Sequence, residues 1–128
     1  MTSPYLLLFR NAGEDVHAHL TPAERDALAE RWNRWVEELT ARGQLQQGHP
    51  LGLEGKVVSG PAGDRITDGP YAEAKEVVGG YLIVHAHHLD DAARIAQGCP
   101  GLAIGLNVEV RALLDRSAVL EGVRAKPA

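Results

Sequence analysis

Apolar and polar positions alternate along this chain in rhythms that change every ten to twenty residues. From Tyr5 to Phe9 the run Tyr-Leu-Leu-Leu-Phe is unbroken. That length without alternation predicts a central strand covered on both faces. Arg10 to His19 is polar and predicts a loop. Leu28, Trp32, Trp35, Val36 and Leu39 then recur at helical spacing and form one apolar stripe. Each of these side chains contributes roughly 1.5–3 kcal/mol when buried. Thr21 is a good N-cap, Pro22 suits the first helical position, and Glu24 completes a capping box. Gly43 supplies a left-handed stop.

Gln44 to Leu53 holds Gly48 and Pro50 and predicts a weak edge strand. Lys56–Ser59 and Asp64–Thr67 flank Gly60-Pro61-Ala62-Gly63, the pattern of a hairpin. Val77 to His87 is a second strong strand. Asp90 to Gln97 predicts a short helix, stopped by Gly98 and Pro100. Asn107 to Ala112 alternates cleanly as a last strand. The tail from Leu113 predicts a turn or two of helix.

The order is strand, long helix, hairpin, strand, short helix, strand. It predicts one α+β domain, a ferredoxin-like split βαβ plan with an added hairpin, with its core over about residues 4–112 and a tail over 113–128. Both helices should cover the same side of the sheet. On the long strand Val78, Leu82, Val84 and Ala86 point one way, and Val77, Tyr81, Ile83, His85 and His87 the other. On the last strand Val108, Val110 and Ala112 oppose Asn107, Glu109 and Arg111. The apolar sets should face the helices. An open face bearing Tyr81 and Ile83 is too apolar to stay wet, so it calls for a second copy of the chain, a two-fold homodimer.

At 128 residues the chain is long enough for one real core. Its net charge of −4 gives no reason to bind nucleic acid, which demands clustered Lys and Arg. No apolar run approaches the roughly 20 residues of a membrane helix, and the start lacks the basic leader of a signal peptide. The cytoplasm is the expected location. The single cysteine, Cys99, excludes an intrachain disulfide and fits buried filler better than a nucleophile.

Candidate chemistry gathers around Asp68. Its carboxylate either closes an Asp-Gly-Pro turn, with Gly69 at positive φ, or serves as a general base or substrate anchor. Glu73, Lys75 and Glu76 form either a solvated loop or a polar pocket wall, with Lys75 facing an anion. Glu109 and Arg111 share a strand face. Arg111 either grips a ligand carboxylate or joins an ion pair with Glu109, Glu73 or Asp68. His85 lies on the face of Tyr81, where it either works in acid–base chemistry oriented by Asp68 or makes a hydrogen bond at a dimer seam. His85 and His87 could share a metal ion, but no cysteine is near and a third ligand is missing, so no metal is expected. Asp68 and His85 are therefore the candidate catalytic residues, and Glu73, Lys75, Tyr81, Glu109 and Arg111 the candidate binding residues. They would act on a small anionic molecule by proton transfer or addition of water, without an organic cofactor.

The segment Asp-Gly-Pro-Tyr-Ala-Glu-Ala-Lys-Glu, Asp68 to Glu76, resembles the signature of the DGPF family, a branch of the YCII-related proteins. Its flanks agree: Gly79-Gly80-Tyr81, Leu89-Asp90-Asp91-Ala92, Cys99-Pro100 and Val108-Glu109-Val110-Arg111. Tyr71 stands where Phe is usual and Ala74 where Thr is usual. The resemblance implies a dimeric α/β barrel and, in the wider YCII group, enzymatic function from a His–Asp pair in a cleft. It also implies an alternative role, a non-catalytic regulatory module associated with a sigma factor.

Overall fold

The computed structural model describes residues 1–12, 17–69 and 76–126. Among the described residues six strands and two helices follow one another as β1 (Ser3–Ala12), α1 (Pro22–Ala41), β2 (Leu45–Pro50), β3 (Gly55–Ser59), β4 (Arg65–Gly69), β5 (Glu76–Ala86), α2 (Leu89–Ala96) and β6 (Asn107–Ala112), with a 3-10 turn over Pro100–Ile104 before β6. Four strands form an antiparallel sheet in the order β2-β5-β1-β6. Each helix joins two strands with a third between them: α1 carries the chain from β1 to β2 past β5, and α2 from β5 to β6 past β1. That is the α+β arrangement of a ferredoxin-like fold. No described helix is long and apolar enough to cross a membrane.

The first helix begins where its capping residues dictate. Thr21 Oγ1 accepts the Glu24 N–H at 3.1 Å, and Glu24 Oε1 accepts the Thr21 N–H at 3.0 Å. The helix runs to Ala41 and stops at Gly43, whose φ of 70° is open to glycine and strained for other residues. Leu28, Trp35 and Leu39 are buried, while Trp32 and Val36 lie half-buried along the same stripe.

Alternation sorts the sheet into two faces. Tyr5, Leu7 and Phe9 of β1 and Leu82, Val84 and Ala86 of β5 are buried with Trp35, Leu39, Ala92 and Ala96 in one core. Both helices therefore cover the same face. Leu6 and Leu8 stand opposite Ile83 and Tyr81 on the reverse face, joined there by Glu109 and Arg111. They are half-buried, apart from the exposed Arg111. The unbroken apolar run of β1 has helical cover on one face, and Leu6 and Leu8 are half-buried on the other.

Four expectations are corrected. The polar stretch after Phe9 is not a loop throughout, because β1 continues through Arg10 and Asn11 to Ala12 against β5. The register slips between Phe9 and Arg10, so that Phe9 faces Gly80 but Arg10 faces Val78. Gly79 is the extra residue of a bulge. Val78 thereby joins the reverse face and Val77 the helical one, the opposite of strict alternation. Asp68 lies within β4 opposite Lys56, and Gly69 does not take the expected positive φ, while Pro70 of the expected turn lies outside the described residues. The tail forms no helix over 113–126; instead Arg116 and Arg124 bridge, and the Ala125 N–H reaches the Asp115 carbonyl at 2.7 Å.

Candidate functional site

A cleft of about 450 Å³ opens between α1 and the β2–β5 edge of the sheet. Its roof is Trp32 and Val36 on the sheet-facing side of α1, with the exposed Asn33 at its margin. Its floor is the helical face of the sheet, where Phe9, Leu45 and Leu82 bring apolar side chains and Gly48 and Gly80 bring none. The concavity depends on those two glycines. A Cβ on Gly80 would stand 3.1 Å from the His49 carbonyl oxygen and 3.3 Å from Pro50 Cα, and Gly48 is tighter still.

Trp32 is held edge-on by its neighbours. Its ring lies 4.9 Å from that of Phe9 at 89° and 5.6 Å from that of Trp35 at 71°. Edge-to-face rings attract beyond their buried area, so this aromatic wall is rigid. The predicted role of Trp32 was packing alone; it packs and also lines the cleft.

Polar groups are few and placed at the rim. His17 reaches the cleft from the turn before α1. Its carbonyl accepts the Leu20 N–H at 3.1 Å and Arg25 Nη2 at 3.0 Å, which fixes the backbone that carries the imidazole. Asn11 lines the far end, and its Oδ1, sealed from solvent, has no hydrogen-bond partner among the described residues. A buried amide oxygen left unpaired costs about 1–3 kcal/mol. His49 and Tyr81 border the cleft at the sheet edge, with Nδ1 of His49 2.9 Å from the Tyr81 hydroxyl.

The residues singled out from sequence are distributed otherwise. Tyr81, His85, Glu109 and Arg111 all lie on the reverse face of the sheet, as alternation predicted. Glu109 is shared by two guanidiniums: Arg10 Nη1 binds its Oε1, and Arg111 Nη1 lies 3.5 Å from its Oε2. His85 sits four residues farther along β5 from Tyr81, opposite Pro4, where its N–H donates to the Gln44 carbonyl at 2.7 Å. Asp68 is in the β3–β4 hairpin, paired with Lys56 Nζ, and its side chain is 88% exposed. That hairpin touches no other strand or helix among the described residues, so the chain by itself does not bring Asp68 to His85. Glu73 and Lys75 lie outside the described residues, and Glu76 opens β5.

His87 and His88 have structural work. His88 caps α2 by accepting the Asp91 N–H at 3.1 Å, and His87 Nδ1 lies 3.1 Å from the Met1 carbonyl. The His87 N–H donates to Asp91 Oδ2 at 2.9 Å. That bond, aided by the charges of His87, His88 and Arg94, holds the Asp91 carboxyl below the usual range despite some desolvation. Among the described residues no group of three or more His, Cys, Asp or Glu side chains could hold a metal ion.

Arg10, Asn11, His17 and Asn33 were missed from sequence. Arg10 had one legible signal: it continues the Leu6, Leu8 parity of β1. The others required the distance between helix and sheet.

The sequence model of the YCII-related domain matches residues 4–114. Among solved structures the chain is similar to 5-chloro-2-hydroxyhydroquinone dehydrochlorinase from Burkholderia phenoliruptrix AC1100, in complex with 2,5-dihydroxybenzoquinone. The TM-score is 0.51 at 16% identity, over 91% of this chain and 98% of that one. At that identity the likeness concerns the fold. No curated protein matches.

Proposed function

This chain belongs to the YCII-related family, and from that premise we propose that it binds a small oxygenated ring molecule in the cleft beneath α1 and acts on it by acid–base chemistry with its own side chains. The motif from Asp68 to Glu76 supports membership of the DGPF branch. The observation that carries the reading is the cleft itself. Its volume of about 450 Å³ falls within the usual span of small-molecule sites, and so does its make-up, apolar walls with a few convergent polar groups. The dehydrochlorinase of similar fold binds a dihydroxylated quinone, a flat ring of the size these walls enclose.

Each wall has a role in this reading. Trp32 and Phe9 meet the ring, and Val36, Leu45 and Leu82 exclude water. Asn11 closes the far end of the cleft. His17, which reaches the cleft from the turn before α1, moves the proton, imidazole being the side chain suited to that task near neutral pH. We favour this cleft over the reverse face because the Glu109 carboxylate is already engaged by Arg10 and Arg111. The reverse face, in turn, is the surface that meets a second copy in a homodimer. Neither the fold nor the comparisons support an association with a sigma factor.

The test is a melting experiment with 2,5-dihydroxybenzoquinone as probe. The wild-type chain should melt at higher temperature as probe is added. Val36→Trp, which fills the roof from the helix without touching the sheet backbone, should fold but show no shift. A shift of equal size in both proteins would put the ligand elsewhere.

A further inference from the structure

The β3–β4 hairpin stands apart from the other described strands and helices. It touches no other strand or helix among the described residues. An isolated two-stranded hairpin is marginal in water at best, yet this one is a fully paired ladder from Gly55–Gly69 to Ser59–Arg65. One of its faces carries Val58 opposite Ile66, 62% and 63% exposed, with Lys56 opposite Asp68 beside them. Apolar side chains paired across a ladder with an ion pair at their edge have the make-up of an interface, dry at the centre and polar at the rim.

The described elements leave a second surface uncovered. On the reverse face Leu6 and Leu8 lie against Ile83 and Tyr81, and both helices are on the other side. This patch too has an ion pair at its edge, Glu109 with Arg111, whose guanidinium side chain is 71% exposed. The hairpin thus offers an apolar centre flanked by Lys56 and Asp68, and the sheet face an apolar centre flanked by Glu109 between two guanidiniums, Arg10 and Arg111. The two surfaces belong to the same chain, so a two-fold axis can satisfy both at once, arm to face and face to arm.

We propose that the β3–β4 hairpin is an exchange arm that lies on the reverse sheet face of a second copy, with Val58 and Ile66 over Leu6, Leu8 and Ile83. The occupant is this chain, because both surfaces are apolar at the centre and the exposed Asp68 carboxylate of the hairpin complements the excess of guanidinium, Arg10 and Arg111 against Glu109, beside the sheet face. The arrangement also brings Asp68 of each copy towards the Arg111 side of the other, so that the reverse face acquires a carboxylate its own chain does not supply. The inference rests on the homodimer reading above and is independent of the cleft.

Cysteine pairing tests it cleanly, since the one native cysteine, Cys99, is buried. Val58→Cys chains are mixed with Ile83→Cys chains, exchanged and oxidised. The arm predicts a covalent heterodimer on a non-reducing gel, and none when Val58→Cys is mixed with Arg34→Cys, on the exposed side of α1. Ile66→Asp, an exposed change that leaves the core intact, should convert the dimer to monomer by light scattering at micromolar concentration. A wild-type monomer would overturn both the dimer and the arm. A dimer that fails to cross-link and tolerates Ile66→Asp would overturn the arm alone. A disulfide formed within a single Val58→Cys, Ile83→Cys chain would show the arm folding back on its own sheet, and would overturn it too.

Discussion

Gly48 faces Leu82 across the β2–β5 ladder so closely that a Cβ on it would collide with Leu82 Cδ2 and stand 2.7 Å from the Tyr81 carbonyl oxygen. The sheet edge and the cleft floor therefore share one requirement. Gly48→Ala should cost about 1–3 kcal/mol through overpacking, read from chemical denaturation. Gly79→Ala, whose added carbon would meet Asn11 Nδ2 at 3.6 Å, should change stability little. Equal effects at the two positions would mean that the sheet relaxes around Gly48.

Leu39 is 1% exposed and packs with Trp35 and Val84 beneath the helix. Leu39→Ala should destabilise by about 2–5 kcal/mol. The exposed Leu53, 94% accessible, should tolerate alanine. Matching denaturation midpoints for the two variants would contradict the described core.

Where side chains repeat or cap, the fold was legible in the sequence. Thr21, Pro22 and Glu24 announced the helix start, and Asn107 to Ala112 alternated over its true length. Leu82, Val84 and Ala86 were separated correctly from Tyr81, Ile83 and His85. Prediction failed where a residue type has two uses. Glycine has no side chain to reveal a slip of register, so the Gly79 bulge and the exchange of Val77 with Val78 were invisible. Asp68-Gly69-Pro70 has turn composition, yet cross-strand pairing with Lys56 holds Asp68 in β4. Arg10 and Asn11 are polar in a strand because a partner, Glu109, and the sealed end of the cleft receive them. The cleft itself arises from how far α1 stands above Gly48 and Gly80, a distance no periodicity encodes.

The cap of α1 should weaken in acid. Glu24 is held below its ordinary value of 4.5 by hydrogen bonds from the Thr21 backbone and then its side chain. A depressed carboxyl contributes stability that is present above the unfolded value and lost as pH falls through the folded one. Asp91 at α2 behaves alike, below 3.8. Thr21→Ala should cost about 0.5–2 kcal/mol at neutral pH, and that difference should shrink below pH 4.5. A difference independent of pH would show that the Thr21 side chain has no charge-dependent part in the cap.

Burial raises the Cys99 thiol above its ordinary value of 9.0, against smaller opposing contributions from the backbone of Gly101 and Leu102. The thiol should therefore react slowly with a disulfide reagent in the native protein at neutral pH and rapidly in denaturant. The linkage has the opposite sign to that of the carboxyls. Stability from this group is complete below 9.0 and declines as pH rises, because the unfolded chain ionises first. Native reactivity equal to the denatured rate would place Cys99 at the surface.

Amide chemical-shift mapping of the 15N-labelled protein during titration with 2,5-dihydroxybenzoquinone tests the cleft most directly. The account predicts perturbations concentrated at Gly48, Gly79, Gly80, Asn33, Val36 and the Trp32 indole N–H. Shifts concentrated instead at Glu109 and Arg111 on the reverse face, or no saturable shifts, would contradict it.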